Sequence, residues 1–371
     1  MRIGVPREIK DNEYRVAVTP PGVHELVRAG HQVLVEQGAG AGSSIPDAEY
    51  VSAGAKIIGN AADVWGDAEL VLKVKEPIDD EYPLLRRHQV LFTYLHLAAS
   101  EACTKALLDS GITAIAYETV QRGDGVLPLL YPMSEVAGRM AVQVGAHHLE
   151  RAAGGRGVLM GGVSGAHDAA VTIIGAGVSG MNAAAVSFGM GARTTVLDRD
   201  IDKLRLLDRI YQGRLQTVAS NTYEIERAVL DSDLVIGTVL VPGARAPKLV
   251  SNDLVRRMKP GAVLVDVSVD QGGCFEDSRP TTHSAPTFRV HDTTFYCVAN
   301  MPGAVPHTST YALTNVTLPY VTAIADLGVR AAARNDPSLA AGINVVDGDV
   351  VYSAVADAHG LPHTSLDKVL A

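Results

Sequence analysis

Short apolar runs rich in β-branched residues alternate along this chain with stretches whose apolar positions recur at the helical period. The runs predict strands at 2–5, 32–36, 69–75, 89–95 and 112–118, and the periodic stretches predict helices at 21–29 and 47–53. Ser100 is placed to cap a helix reaching about residue 110, with Glu101 in its first turn and Gly111 as the stop signal. Around Pro128 to Pro132 the pattern changes. Ser134 is read as the N-cap of a long amphipathic helix to about residue 153, and a glycine-rich link, 154–165, follows it. Strands are expected again at 171–174, 194–197, 234–238, 263–267 and 294–298, and the stretch from Leu313 onward is expected to be helical. Strands alternating with helices in this way argue for an α/β fold of parallel, doubly wound sheets covered on both faces.

One segment in this pattern carries a ligand signal. The strand Val171 to Ile174 ends in Gly175-Ala176-Gly177-Val178-Ser179-Gly180, an alanine-rich helix follows, and the next strand ends in Asp198, eighteen residues past Gly180. Each part has a task in holding a dinucleotide. Gly175 permits the tight turn, Gly177 lets backbone approach a pyrophosphate, and Gly180 lets helix and strand pack closely. Free N–H groups at the helix start receive the phosphate charge, and Asp198 is placed for the ribose hydroxyls. Among 36 glycines the turn alone is weak evidence; the flanking strands and the acid give it weight.

Composition narrows the class without changing this picture. With 371 residues there is room for two domains, and 47% hydrophobic with 20% charged residues is ordinary for a globular α/β protein. A net charge of −9 and the lack of any basic run disfavour nucleic acid as a partner. Cys103, Cys274 and Cys297 are scattered, with no metal-binding or disulfide spacing, so no metal is expected. The N-terminus carries charges where a signal peptide needs an apolar core, and no apolar run reaches the ~20 residues that span a bilayer. A cytoplasmic protein without a membrane partner is expected.

Ligands of doubly wound sheets sit at the carboxyl ends of the strands. Lys75, His96 and Asp270 each stand at the end of a predicted strand, and Arg15 lies in the turn-like segment 12–17. Each has a plainer reading: a solvated lysine, a structural histidine, an aspartate closing a turn, an arginine paired with Glu13. Beside a nicotinamide they would make a set suited to a small oxo or amino acid. A guanidinium clamps a carboxylate, an ammonium polarises a carbonyl, and an imidazole exchanges its proton near neutrality.

The run Gly4-Val-Pro-Arg-Glu8, Asn12-Glu13-Tyr14-Arg15-Val16-Ala17-Val18-Thr19-Pro20, and the fingerprint through Met190-Gly-Ala to Asp198 closely resemble the signatures of alanine dehydrogenases and the related nicotinamide nucleotide transhydrogenases. The segments Lys73-Val-Lys-Glu-Pro77, His96-Leu-Ala, Met133-Ser-Glu-Val-Ala-Gly138, Val269-Asp-Gln-Gly-Gly273 and Asn300-Met-Pro302 extend the likeness over essentially the whole chain. The resemblance implies two Rossmann-like domains: a discontinuous substrate domain, 1–128 with 305–371, and an inserted NAD-binding domain, 129–304. It implies reversible oxidative deamination of L-alanine to pyruvate and ammonia with NAD, in a homo-hexamer.

By the same likeness Arg15 and Lys75 hold the substrate, and His96 and Asp270 are catalytic. Ser134 would reach the pyrophosphate or the nicotinamide side of NAD, Val178 and Ser179 would line the glycine turn, and Lys203 and Ser220 would lie near the adenosine. Val239, Leu240, Val267, Ser268 and Val269 would line the rest of its site, together with Arg279, Val298, Ala299, Asn300 and Met301. Arg199 beside Asp198 could suit a 2′-phosphate, but the Asp198 charge would repel it, so NAD is expected over NADP. The alternatives are a soluble hydride-transfer component of a transhydrogenase, a saccharopine-type dehydrogenase, and an NAD-binding regulator without turnover.

Overall fold

The computed structural model describes residues 1–239 and 246–370. In chain order its strands are β1 (Arg2–Val5), β2 (Gln32–Glu36), β3 (Lys56–Ile58), β4 (Leu70–Leu72), β5 (Val90–Thr93), β6 (Thr113–Ala116), β7 (Ala170–Ile174) and β8 (Arg193–Asp198). There follow β9 (Gln216–Ala219), β10 (Leu234–Gly237), β11 (Val263–Asp266), β12 (Thr287–Val290), β13 (Thr293–Tyr296), β14 (Ile343–Val346) and β15 (Asp349–Val350). The chain divides into two compact units, Met1–Met133 with Val305–Ala371, and Ser134–Ala304.

The first unit is built on the sheet β15-β14-β6-β5-β4-β1-β2-β3, in which β1 to β6 are parallel and β14 joins β6 antiparallel. Leu70, Val71 and Leu72 are all fully buried, as expected of a strand covered on both faces. Val23 and Leu26 of helix Pro20–Arg28 and Leu107 of helix Glu101–Ser110 are likewise fully buried in this unit. Ser100 Oγ accepts the Cys103 N–H at that second helix's start, and Gly111 closes it at φ +66°, as its sequence predicts.

The second unit repeats the plan as β12-β13-β11-β10-β7-β8-β9, with only β12 antiparallel. Val235, Leu264, Phe275 and Phe295 are fully buried in its core. Asp200 and Asn221 cap the helices Ile201–Tyr211 and Thr222–Asp231. In each unit the winding direction reverses once, between β1 and β4 and between β7 and β10. Those two switch points are where such sheets hold ligands.

Two expectations are corrected. Ser134 is not an N-cap: the helix is Tyr131–His148, begun three residues earlier with Pro132 in its first turn, where proline's fixed φ suits a helix and its missing N–H costs nothing. The C-terminal stretch is not wholly helical. After helices Pro306–Leu327, Val329–Asn335 and Pro337–Gly342, the β-branched run Ile343–Val346 adds a strand to the first sheet.

Candidate functional site

At the switch point of the first sheet, the carboxyl ends of β1 and β4 lead into a set of buried charges. Lys73, just past β4, lies 3.1 Å from Glu8 and 2.8 Å from Glu81, and all three are buried. Burial disfavours the Lys73 charge, yet the two carboxylates outweigh it and raise its pKa. Glu8 also accepts the Val74 N–H at 2.6 Å, which ties the segment after β4 to the one after β1.

Arg15 is 2% exposed and sits on Glu13 in a two-pronged contact, Nε to Oε1 at 2.7 Å and Nη2 to Oε2 at 2.6 Å. Its Nη1 faces the Met133 sulfur at 3.1 Å. Burial opposes ionisation of both partners, but the paired hydrogen bonds win: the Glu13 pKa falls below its usual value and that of Arg15 rises. Lys75 is half-buried, its Nζ 6.0 Å from the centre of the Tyr94 ring. Burial, reinforced by the Arg15 charge, lowers its pKa from the usual 10.5. The structure thus keeps the Arg15–Glu13 pairing open to the sequence and adds a second, less comfortable cation near it.

His96 lies three residues past β5 in the left-handed conformation, φ 50° and ψ 37°, an uncommon state for a residue with a Cβ. Glu118 holds it there. The Glu118 carboxylate accepts the Leu95 N–H at 3.1 Å and the His96 N–H at 2.5 Å, and lies 4.0 Å from His96 Nδ1. The His96 ring runs nearly parallel to that of Tyr94, 6.0 Å away, and keeps 45% of its side-chain surface exposed. Tyr94 is itself fixed by a 2.6 Å hydrogen bond to the Leu129 carbonyl. Arg15, Lys75 and His96 are therefore gathered in one unit around Tyr94.

The second unit carries the remaining described predicted residues, most of them just past the carboxyl ends of its strands, with Ser134 and Lys203 on helices. Gly175 has φ +108°, and a Cβ there would stand 2.8 Å from Thr238 Oγ1. A Cβ on Gly180 would lie 1.8 Å from the Gly175 carbonyl oxygen, so helix Val178–Gly189 can reach the turn only without one. A Cβ on Gly177 would meet nothing within 4 Å. Two glycines are demanded by packing, and the third leaves open space in front of the helix's free N–H groups. That combination fits a pyrophosphate.

Asp198 closes the turn: its carboxylate accepts the Ala176 N–H at 2.6 Å and the Asp200 N–H at 2.8 Å, while its carbonyl takes the Ser220 N–H at 2.9 Å. Ser179 Oγ donates to the Ser134 carbonyl at 2.9 Å, so Ser134 meets the glycine turn through its backbone. Lys203 is exposed, 3.9 Å from Asp200. Val239 follows β10 and is half-buried, and Leu240 lies outside the described residues.

Val267, Ser268 and Val269 follow β11 and lead to Asp270, exposed in the turn Val269–Gln271. Arg279 stacks its guanidinium on Phe288, 4.4 Å from the ring centre. Val298, Ala299, Asn300 and Met301 follow β13, with Asn300 at φ 61° and its carbonyl 3.2 Å from His283 Nε2. Sequence reasoning passed over Glu8, Lys73, Tyr94, Glu118 and Asp266. Of these Glu8 and Lys73 lie in the quoted motifs Gly4-Val-Pro-Arg-Glu8 and Lys73-Val-Lys-Glu-Pro77, the second of which drew attention to Lys75.

Among the described residues, no helix is long and apolar enough to cross a membrane. The family model for the alanine dehydrogenase/PNT N-terminal domain matches residues 4–137, and that for the alanine dehydrogenase/PNT C-terminal domain matches 141–353. The chain is 63% identical to an alanine dehydrogenase of Mycobacterium tuberculosis (strain ATCC 25618 / H37Rv) and 54% identical to one of Methanococcus maripaludis, with 100% of each chain covered in both cases. A solved L-alanine dehydrogenase superposes with a TM-score of 0.95 at 49% identity, over 97% of this chain and 99% of that one. A transhydrogenase from Sinorhizobium meliloti gives 0.82 at 27% identity, over 95% and 100%. With both domain models matched and identity this high over its full length, the chain belongs to the alanine dehydrogenase/PNT family.

Proposed function

We propose that this protein is an NAD-dependent L-alanine dehydrogenase, interconverting L-alanine with pyruvate and ammonia. The observation that carries the reading is the 63% full-length identity with an alanine dehydrogenase. Its chemical support is the grouping of a clamped guanidinium, a lysine of lowered pKa and an imidazole around Tyr94. Arg15, whose Nη1 faces the weak thioether acceptor of Met133, receives the substrate carboxylate. Lys75 lies toward the amino or oxo group; its lowered pKa brings proton exchange nearer to neutral pH.

The turn Gly175 to Gly180 would hold the pyrophosphate of NAD and Asp198 its ribose, and bound NAD would supply the acceptor for the hydride that leaves the alanine Cα. Water then adds to the iminium of the amino acid. His96 takes a proton from that water and delivers one to the departing amine, and Asp270 stabilises the positive charge near the reacting carbon. The finer expectations belong to the same proposal: a cytoplasmic homo-hexamer that prefers NAD to NADP.

Absorbance of reduced nicotinamide tests it, with L-alanine and NAD or NADP, and in reverse with pyruvate and ammonia. Turnover is expected with NAD, and Arg15→Ala is expected to lower kcat/KM about a hundredfold or more, chiefly through KM. The likeness to a transhydrogenase favours one other reading, a hydride-transfer component. NAD binding without turnover of L-alanine in either direction would decide for it.

A further inference from the structure

Asp266 ends β11 fully buried, and nothing in the proposed reaction uses it. Its carboxylate accepts the N–H groups of Ser268 at 2.9 Å, Cys274 at 2.8 Å and Phe275 at 3.3 Å, and the Ser278 hydroxyl at 2.5 Å. The Cys274 thiol lies 3.6 Å from its other edge. All these donors come from the loop that follows the strand. A buried carboxylate is costly without such partners, and here a single loop supplies them. The loop approaches so closely that a Cβ on Gly273, whose φ is +72°, would stand 2.7 Å from Asp266 Oδ2.

The placing of these bonds matters. Ser268 precedes the turn Val269–Gln271 and Cys274 follows it, so one carboxylate pins both ends of the turn at whose centre Asp270 stands. Lys248 secures the far side, its Nζ donating to the carbonyls of Gly272 at 2.6 Å and Phe275 at 2.8 Å. Asp270 is itself exposed at the centre of that turn. Its position is set by what holds the turn.

We propose that Asp266 is the positioning residue for Asp270: it never meets substrate, and it fixes the loop that presents the Asp270 carboxylate. This rests on the reading of Asp270 as catalytic in L-alanine turnover. Asp266→Asn keeps the shape but turns one acceptor into a donor facing donors. It is expected to lower kcat for L-alanine about tenfold or more while KM moves less than about twofold. In an Asp270→Asn background the same change is expected to alter the residual rate by less than about twofold.

Equal fold-losses in the two backgrounds, or no loss in either, would overturn the proposal. If Asp266→Asn does not fold, Ser278→Ala, which removes the 2.5 Å donor, is put through the same cycle with the same two outcomes. If the unsubstituted protein does not turn over L-alanine, the proposed reaction fails separately. Hydrogen exchange at the Ser268, Cys274 and Phe275 amides then decides: faster exchange in Asp266→Asn supports the staple, and unchanged protection rejects it.

Discussion

At Arg15 two requirements meet. The side chain must stay charged where water is scarce, and in the proposed reaction it presents a donor to the substrate carboxylate. Glu13, two residues away, meets the first by taking Nε and Nη2, which fixes the plane of the guanidinium. The pair also makes a statement about pH. The Glu13 pKa lies below its usual 4.5 in the fold, so its ionised form stabilises the protein above that value, and the benefit is lost as pH falls through the lowered pKa. Glu13→Gln is therefore expected to cost about 3 kcal/mol near neutrality, seen as a lower urea midpoint. The gap from the unsubstituted protein should narrow below pH 4.5. A gap of constant size down to pH 3 would rule out the ionised pair as its source. This pairing was visible in the sequence as one of two readings of Arg15. The hold of Glu118 on His96 was not, because the two stand on different strand ends and only the pairing of β5 with β6 brings them together.

At the scale of elements, the central parallel strands and their glycine turn were legible because β4, β7, β10 and β11 are buried on both faces and each turn has its own chemistry. The shortest strands were not. β3 is only Lys-Ile-Ile, too brief for a period to show. The hairpin of β14 and β15 was missed for a poorer reason. Val346-Asp347-Gly348-Asp349 carries the Asp-Gly signal of a tight hairpin, and both turn residues adopt positive φ, 51° and 97°. The stretch from Leu313 onward is read as helical throughout, past this signal. The glycine turn makes a firm prediction of its own. In Gly180→Ala a methyl would have to fit 1.8 Å from the Gly175 carbonyl, so helix and turn must separate. Overpacking of this kind costs about 1–3 kcal/mol, and NAD affinity by calorimetry should weaken about tenfold or more. Gly177→Ala meets no protein atom; if it binds NAD as tightly as the unsubstituted protein, the open space before the helix is not where the dinucleotide lies.

At the scale of the whole molecule, the second unit has its own sheet and its own buried core. Residues 129–304 made alone are therefore expected to unfold cooperatively and to bind NAD, yet to show no oxidation of L-alanine, since Arg15, Lys75 and His96 are absent from them. A fragment without a cooperative transition would show that this core does not suffice. The first unit has no such independence, because β6 pairs on one side with β14, more than half the chain length later. During synthesis that distance becomes time. At about 5–20 residues per second, the apolar edge Thr113–Ala116 waits on the order of 10 to 50 s for its neighbour, while the inserted unit emerges and can fold. Open edges of this kind recruit other strands. A nascent chain released before residue 343 would carry one finished unit and one adhesive edge, so the insertion of one unit within the other also sets the interval in which the ribosome-bound protein most needs a chaperone.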